Sequence, residues 1–326
     1  MLFDDSQSGT TKGQTGLLKC SCGLIYPIID GVPRFMNDSD NARPESVENM
    51  GHPAALVPSR KHDDYEDIRA SFTKEWAIFD YDTDKTWGWT LEQRKQIFLD
   101  DMALTADQVV GKTLLDAGCG NGTLTAALGT LGMDVIGIDL NDMLGTANQH
   151  KTRAAGKCAE HVHFVQGNLV NPPLQRHRFD LVYCSGVIHH TPNPHETFRR
   201  LVGLVKPGGR LYVWVYGRRN PVVRLFMDSG RQLRRFMSLE SLMTLCHITA
   251  PIYKIGTELL NAAGVMEFRS RTTREITLDL FDAFAPQYNY HYAEQNLETW
   301  FIQEGLRNVA VSGRQKHGFG AHGDKP

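Results

Sequence analysis

Between residues 113 and 216, short apolar runs alternate with stretches whose apolar residues recur every three or four positions. The run Thr113-Leu114-Leu115-Asp116-Ala117 reads as a buried strand that ends in an acidic residue, and glycines follow at 118, 120 and 122. From Thr123 onward, Leu124, Ala127, Leu128 and Leu131 share one helical face. The same alternation predicts strands over 113–118, 135–139, 162–167, 179–185 and 209–216, with helices over 122–131, 141–155 and 195–205. Strands and helices in this order predict an α/β fold, a mostly parallel sheet with right-handed crossovers. In such a sheet, ligands bind in the crevice beyond the carboxyl ends of the strands.

The flanks carry different patterns, which divide the chain into segments 1–36, 37–64, 65–110, 111–216, 217–285 and 286–326. Residues 1–16 are rich in Ser, Gly, Thr and Gln and read as disordered, whereas Leu17–Phe35 reads as two short strands joined by a turn at Asp30-Gly31. Residues 37–64 lack periodicity and read as a linker. Residues 65–104 are helical and aromatic, with Tyr65, Phe72, Trp76, Phe79, Trp87 and Trp89 either packing as core or forming a lid over the crevice. Arg94, on a helix from Leu91 to Leu104, either reaches a ligand carboxylate in the crevice or, as the preferred reading, lies on a solvated helix face. Residues 217–284 form an insertion in which Arg218, Arg219, Arg224, Arg231, Arg234 and Arg235 alternate with leucines and phenylalanines, read as a helical cap with a solvated basic side. A helix over 294–305 and a strand over 308–312 follow, and residues 314–326, with only Phe319 and Ala321 to pack, predict a short, frayed last strand.

Composition narrows the functional classes. With 326 residues, 41% of them hydrophobic, the chain can bury a large core. Its 35 basic and 37 acidic residues give a net charge of −2, which disfavours a nucleic-acid or membrane partner recruited by bulk charge. No apolar run approaches the roughly 18 residues of a membrane span. Six scattered cysteines, and a polar, acidic start at Met1–Ser6, suit a reduced, cytoplasmic protein.

The glycine turn separates this chain from two familiar nucleotide sites. Counted from Gly118, the third glycine of a dinucleotide fingerprint would fall at Thr123, and no Gly-Lys-Ser/Thr follows to make a P-loop. What remains is Asp-x-Gly-x-Gly-x-Gly, in which the carboxylate disfavours a pyrophosphate but suits an ammonium group. One strand later, Asp134-Val135-Ile136-Gly137-Ile138-Asp139-Leu140 ends in a second acid, placed as ribose-binding acids are. Together with Phe179–His190 and Leu204–Leu211, these motifs resemble the class I S-adenosylmethionine-dependent methyltransferases over roughly residues 70–315.

That resemblance implies a Rossmann-like core, S-adenosylmethionine as cofactor and a set of site residues. Asp116, Gly118, Cys119, Gly120 and Gly122 are expected at the methionine end, with Ser185 and Gly186 facing the same portion. Asp139 is expected on the ribose hydroxyls, with Leu140, Asn168 and Leu169 around the adenine. Asn168 stands where the family usually has an acid, and its amide oxygen can still accept from the adenine amino group. His190, then His189, are the candidate bases, because imidazole takes up a proton near neutrality. Tyr288 and His291 are expected on the acceptor side, by likeness of Phe281–Tyr288 to methyltransferases of small molecules and surface sugars.

The stretch Leu17–Phe35 resembles the second half of the zinc-ribbon-like domain of methyltransferase activators. Its first cysteine pair is missing, so Cys20 and Cys22 alone cannot complete a zinc site, and neither His52 nor His62 has supporting spacing; no metal is expected. The leading function is methyl transfer to an O or N atom of a small molecule, a sugar or secondary metabolite. Competing readings are a tRNA or protein methyltransferase, on the hairpin and the arginines, and a non-catalytic binder of the cofactor. The sequence does not specify the acceptor or the oligomeric state.

Overall fold

A computed structural model describes residues 2–3, 15–20, 23–36, 62–82, 85–218, 230–232, 236–264, 271–315 and 317–326. Its centre is a seven-stranded sheet built from β7 (Thr113–Ala117), β8 (Asp134–Asp139), β9 (Val162–Gln166), β10 (Phe179–Ser185), β11 (Val205–Tyr216), β12 (Arg307–Gln315) and β13 (Gly318–Asp324). The spatial order is β12-β13-β11-β10-β7-β8-β9. The first five core strands run parallel, while β13 is antiparallel to both β11 and β12. The strand order reverses at β7, between β8 and β10, which is the topological switch point where doubly wound sheets open a crevice.

Helices cover both faces of this sheet because their apolar stripes need burial. On one side α2 (Leu91–Met102) and α4 (Thr123–Gly129) bury Phe98, Met102 and Leu128 against Leu114, Val135 and Tyr212. On the other, α6 (Pro194–Leu204) and α9 (Glu294–Gln303) bury Phe198, Leu201 and Phe301 against Val182, Val213 and Ala321. Local chemistry starts these helices as their sequences require. Thr90 and Gln93 form a capping box at α2, and the Asn193 side chain caps α6, with Pro194 in its first turn.

Several elements differ from the sequence expectation. Helix α1 runs His62–Ala77 and so begins inside the expected linker, while residues 37–61 lie outside the described residues. The expected disordered start lies largely outside them too, although Leu2–Phe3 (β1) pair with β2 (Gly16–Lys19). The turn at Asp30-Gly31 has positive φ at both residues (53° and 72°), as a tight hairpin requires, and joins β3 (Ile25–Ile29) to β4 (Val32–Pro33). This hairpin docks on the core through Val32, which is fully buried, and through Arg34, whose guanidinium donates to Gln166 at 2.9 Å. Among the described residues, no group of three or more His, Cys, Asp or Glu is placed to hold a metal.

The frayed last strand is a correction. Residues 318–324 form β13, a nearly fully buried strand inside the sheet, and β12 is the edge. Phe319 and Ala321 are not all that packs there, because the strand's glycines let neighbouring rings close over it. A Cβ at Gly318 would strike the Trp214 ring, one at Gly320 would strike Tyr212, and one at Gly323 would come within 2.7 Å of Phe301. The strand has few side chains of its own because its neighbours' rings fill that space.

The insertion is helical as expected, comprising α7 (Leu239–Ala262) and α8 (Thr273–Phe284). Of its arginines, 219, 224, 234 and 235 lie outside the described residues. Arg231 donates to the Ala283 carbonyl at 3.0 Å and so is not a free basic face. No helix among the described residues is long and apolar enough to cross a membrane.

Candidate active site

The carboxyl ends of β7, β8 and β10 open into a cavity of about 550 Å³, covered by α1, by the hairpin β5 (Lys85–Thr86) and β6 (Trp89–Thr90), and by α8. That volume suits a ligand of cofactor size. The glycine turn forms its floor. Gly118, Gly120 and Gly122 have φ of 85°, 57° and 72°, in the left-handed region that a Cβ disfavours. Space is as restrictive as conformation at Gly120, where a Cβ would lie 2.7 Å from the Trp76 indole.

Two carboxylates stand at neighbouring strand tips and line this one cavity. Asp116 is nearly buried, and its Oδ2 accepts from the Thr125 hydroxyl at 2.6 Å. Burial raises its pKa to about 6, opposed by the Thr125 hydrogen bond and by the charge of Arg94. The Asp139 carboxylate accepts from the Gly120 N–H at 2.8 Å and from the Asn141 N–H at 3.0 Å. Asp139 therefore also closes the glycine turn, so its substitution disturbs the turn as well as the cavity wall.

Gly118, Cys119, Gly120, Leu140, Asn168, Leu169, Ser185 and Gly186 line the same space, whereas Gly122 lies beneath the turn as the N-cap of α4. Burial raises the Cys119 thiol well above its usual pKa. The Asn168 side-chain oxygen already accepts from the Val170 N–H at 2.9 Å, so only its second lone pair is open to a ligand.

Two groups at this end, Asn121 and Arg94, were missed or misjudged in the sequence. The Asn121 side-chain amide is buried, its oxygen accepts from the Thr123 N–H and hydroxyl, and its nitrogen has no partner among the described residues. Arg94 does not face solvent. It reaches inward to donate to the hydroxyls of Thr86 (3.1 Å) and Thr123 (2.9 Å), and burial lowers its pKa while Asp116 pulls it back. The periodicity of α2 put Arg94 on a polar face, and the hairpin β5–β6 folds over that face to make it a wall. Trp76 and Trp87 meet edge to face over the turn (6.0 Å between centroids).

The other end of the cavity is assembled from four distant segments. His190 sits on a 3-10 turn, Ile188–His190, directly after β10. Its Nδ1 lies 2.8 Å from the Tyr288 carbonyl oxygen. That oxygen can only accept, so the proton is on Nδ1 and the Nε2 lone pair is free to accept. Nε2 points toward Asp282 on α8, with Oδ1 at 3.9 Å, and Oδ2 of the same carboxylate accepts from the Tyr216 hydroxyl at 2.7 Å. Burial holds the His190 pKa below its usual value, with Asp282 pulling it upward. Phe72 of α1 meets the imidazole edge to face at 5.6 Å.

His189, Tyr288 and His291 stand one layer behind. His189 is fully buried against His190 (4.2 Å) and Tyr216 (4.1 Å) and is not part of the cavity wall. The loop carrying Tyr288 and His291 is laced to the core by Tyr290 N–H to the His189 carbonyl (3.0 Å) and Tyr292 N–H to the Tyr216 carbonyl (2.9 Å). Tyr288 reaches the site through its backbone, and the His291 ring stacks on Tyr216 (5.8 Å). From this loop it is Asn289 that lines the cavity.

The lid and cap are tied to each other and to the turn. Tyr81 donates to the Asn121 carbonyl at 2.9 Å, Lys74 pairs with Glu240 at 2.6 Å, and Arg274 pairs with Asp80 at 2.6 Å.

This sheet order, glycine turn and pair of acidic strand tips define a class I S-adenosylmethionine-dependent methyltransferase domain, and residues 115–213 match the Methyltransferase domain family. The chain is 34% identical over 129 residues to the ubiquinone biosynthesis O-methyltransferase of Nitrosospira multiformis, which covers 38% of this chain and 51% of that protein. It is 30% identical over 143 residues to the protein of that name from Aeromonas salmonicida, covering 44% and 58% respectively. The chain thus spans little more than half the length of these curated relatives. Magnesium protoporphyrin IX methyltransferase from Synechocystis PCC 6803 with bound SAH is similar at a TM-score of 0.49 and 16% identity, over 81% of this chain and all of that one.

Proposed function

We propose that this protein is an S-adenosylmethionine-dependent methyltransferase that methylates an oxygen atom of a small molecule. The observation that carries the reading is the convergence of Asp116, Asp139 and His190 on one cavity. The curated relatives, named as O-methyltransferases, support oxygen over nitrogen.

The residues present fit the cofactor. Asn121 offers a buried, unpartnered N–H and Arg94 a guanidinium to a carboxylate, while Asp116 offers its remaining lone pairs to an ammonium group. Asp139 takes the ribose hydroxyls beside the backbone donors it already holds, with Leu140, Asn168 and Leu169 flanking the adenine. Bound there, S-adenosylmethionine supplies a methyl group already attached to a good leaving group.

The chain's own residues then align the acceptor and remove its proton. The Tyr288 carbonyl fixes the imidazole so that Nε2 faces the cavity as base. The 3.9 Å gap between Nε2 and Asp282 leaves the lone pair unengaged, so an acceptor hydroxyl can donate to it. As the proton arrives, the imidazolium lies beside a carboxylate already oriented by Tyr216. The lid aromatics Phe72, Trp76 and Trp87 keep water from the transferring group.

The test is to incubate the purified protein with methyl-labelled S-adenosylmethionine and extract, then fractionate the products. Label in small molecules, lost in His190→Ala, is expected. Label confined to tRNA or protein, or no transfer at all, overturns the proposal.

A further inference from the structure

Gln166, the last residue of β9, is 2% exposed and is not part of the cavity wall, although the next two residues, Gly167 and Asn168, are. Its side chain spends every hydrogen bond on the surroundings of that wall. The amide nitrogen lies within donating distance of three acceptors on the loop after β8: the carbonyls of Leu140 (3.0 Å) and Asn141 (3.1 Å), and Oδ1 of Asp142 (2.6 Å). The amide oxygen accepts from Arg34 at 2.9 Å, and the same guanidinium donates to the Asp142 carbonyl at 3.3 Å. One buried amide thus holds three consecutive residues, the first of which lines the cavity.

Asp142 carries this hold across to the lid. Its N–H donates to the Thr73 hydroxyl of α1 at 3.0 Å, and that hydroxyl donates to Oδ2 at 3.4 Å. Arg69, one turn earlier on α1, stands 3.8 Å from Oδ1. Tyr65, Ile68, Phe72 and Trp76 line the cavity from the same helix, on the face beside the Arg69–Thr73 row. The loop and the lid are two walls of one cavity, and the Gln166 amide is bonded to the one directly and to the other through Asp142. Resting on the methyltransferase reading, we propose that Gln166 is a positioning residue for the adenosine half of the cofactor. It sets the Leu140–Asp142 loop and, through Asp142, helix α1. These bonds are made within the protein itself, so the ligand meets an ordered wall and does not have to order it on binding.

The probes are S-adenosylhomocysteine and 5′-methylthioadenosine, which keeps the adenosine half and lacks the amino-acid end, each titrated calorimetrically into the full chain. Gln166→Met should weaken both by the same factor, about 10-fold or more, because it strips the loop of its buried donor. Equal loss is the signature of a positioning role at the adenosine half. General damage to the fold would also reach the amino-acid end and widen the loss for S-adenosylhomocysteine. Thr73→Val removes only the lid contact and should weaken both ligands by about 3-fold, with Thr73→Ser restoring them. Should Gln166→Met fail to fold, the Thr73 pair decides, since it leaves the buried amide in place. Unchanged affinities in the variants, a loss confined to S-adenosylhomocysteine, or a Thr73→Val loss that serine does not restore overturns the proposal. Failure of the wild type to bind either probe would instead remove the cofactor reading.

Discussion

The two ends of the cavity are built on different plans. At the end under the glycine turn, Asp116, Gly118, Gly120 and Asp139 come from one strand–helix–strand unit, β7, α4 and β8, and their placement follows from adjacent parallel pairing. At the other end, Phe72, His190, Asp282 and the Tyr288 carbonyl come from α1, the turn after β10, α8 and a C-terminal loop. The first end is fixed by the sheet, and the second holds only while lid, cap and loop stay docked. One end can thus be kept for a common cofactor while the other is rebuilt for a different acceptor.

Four measurements would break or sharpen this contrast. His190→Ala should lower kcat by roughly 10²–10⁴-fold, the usual worth of a positioned base, and leave the calorimetric affinity for S-adenosylmethionine near that of the wild type. A parallel loss of affinity would mean the ends are not separable. Asp139→Ala should weaken that affinity by about 100-fold, since it removes charge-assisted bonds and loosens the Gly120 turn. Unchanged affinity would take Asp139 out of the site.

The next test is of pH. Burial raises the Asp116 pKa to about 6, and an ammonium group needs its ionised form. Cofactor affinity should therefore fall below pH 6, by up to about tenfold per unit, and level off above it. Asp116→Asn should flatten that dependence, and a wild-type profile flat from pH 5 to 8 would contradict it. The smallest effect is expected for Tyr216→Phe, which frees Asp282 to rotate but leaves its charge. A fall in kcat of about 3–10-fold is expected, and a change as large as that of His190→Ala would make the hydroxyl a direct participant.

The same contrast explains what the sequence disclosed. Strand β7, its glycine turn and Asp139 are local patterns, each readable within a few residues. Helices α2, α4 and α6 declared themselves through their periodic pattern. Arg94 was placed on a solvated face because periodicity reports which side of a helix meets the sheet, not what later folds over the other side. Asp282 lay within the Phe281–Tyr288 stretch that the resemblance marks, but nothing local set it apart from its neighbours, since single acids on helices are ordinary until tertiary packing encloses them. The histidine pair was legible as a pair, but only coordinates separate His190, on the cavity wall, from His189 behind it. His291 was expected on the acceptor side, whereas from its loop it is Asn289 that faces the cavity.

The residues Gly318-Phe319-Gly320-Ala321-His322-Gly323 carry the glycine spacing of a dinucleotide fingerprint. They lie in an extended strand whose bare α-carbons accommodate Trp214, Tyr212 and Phe301. A pattern search would mark a phosphate cradle at the C-terminal edge of the protein and pass over the real turn, where threonine stands in the third position. Spacing alone does not distinguish a glycine that clears room for a ligand from one that clears room for its neighbour's ring.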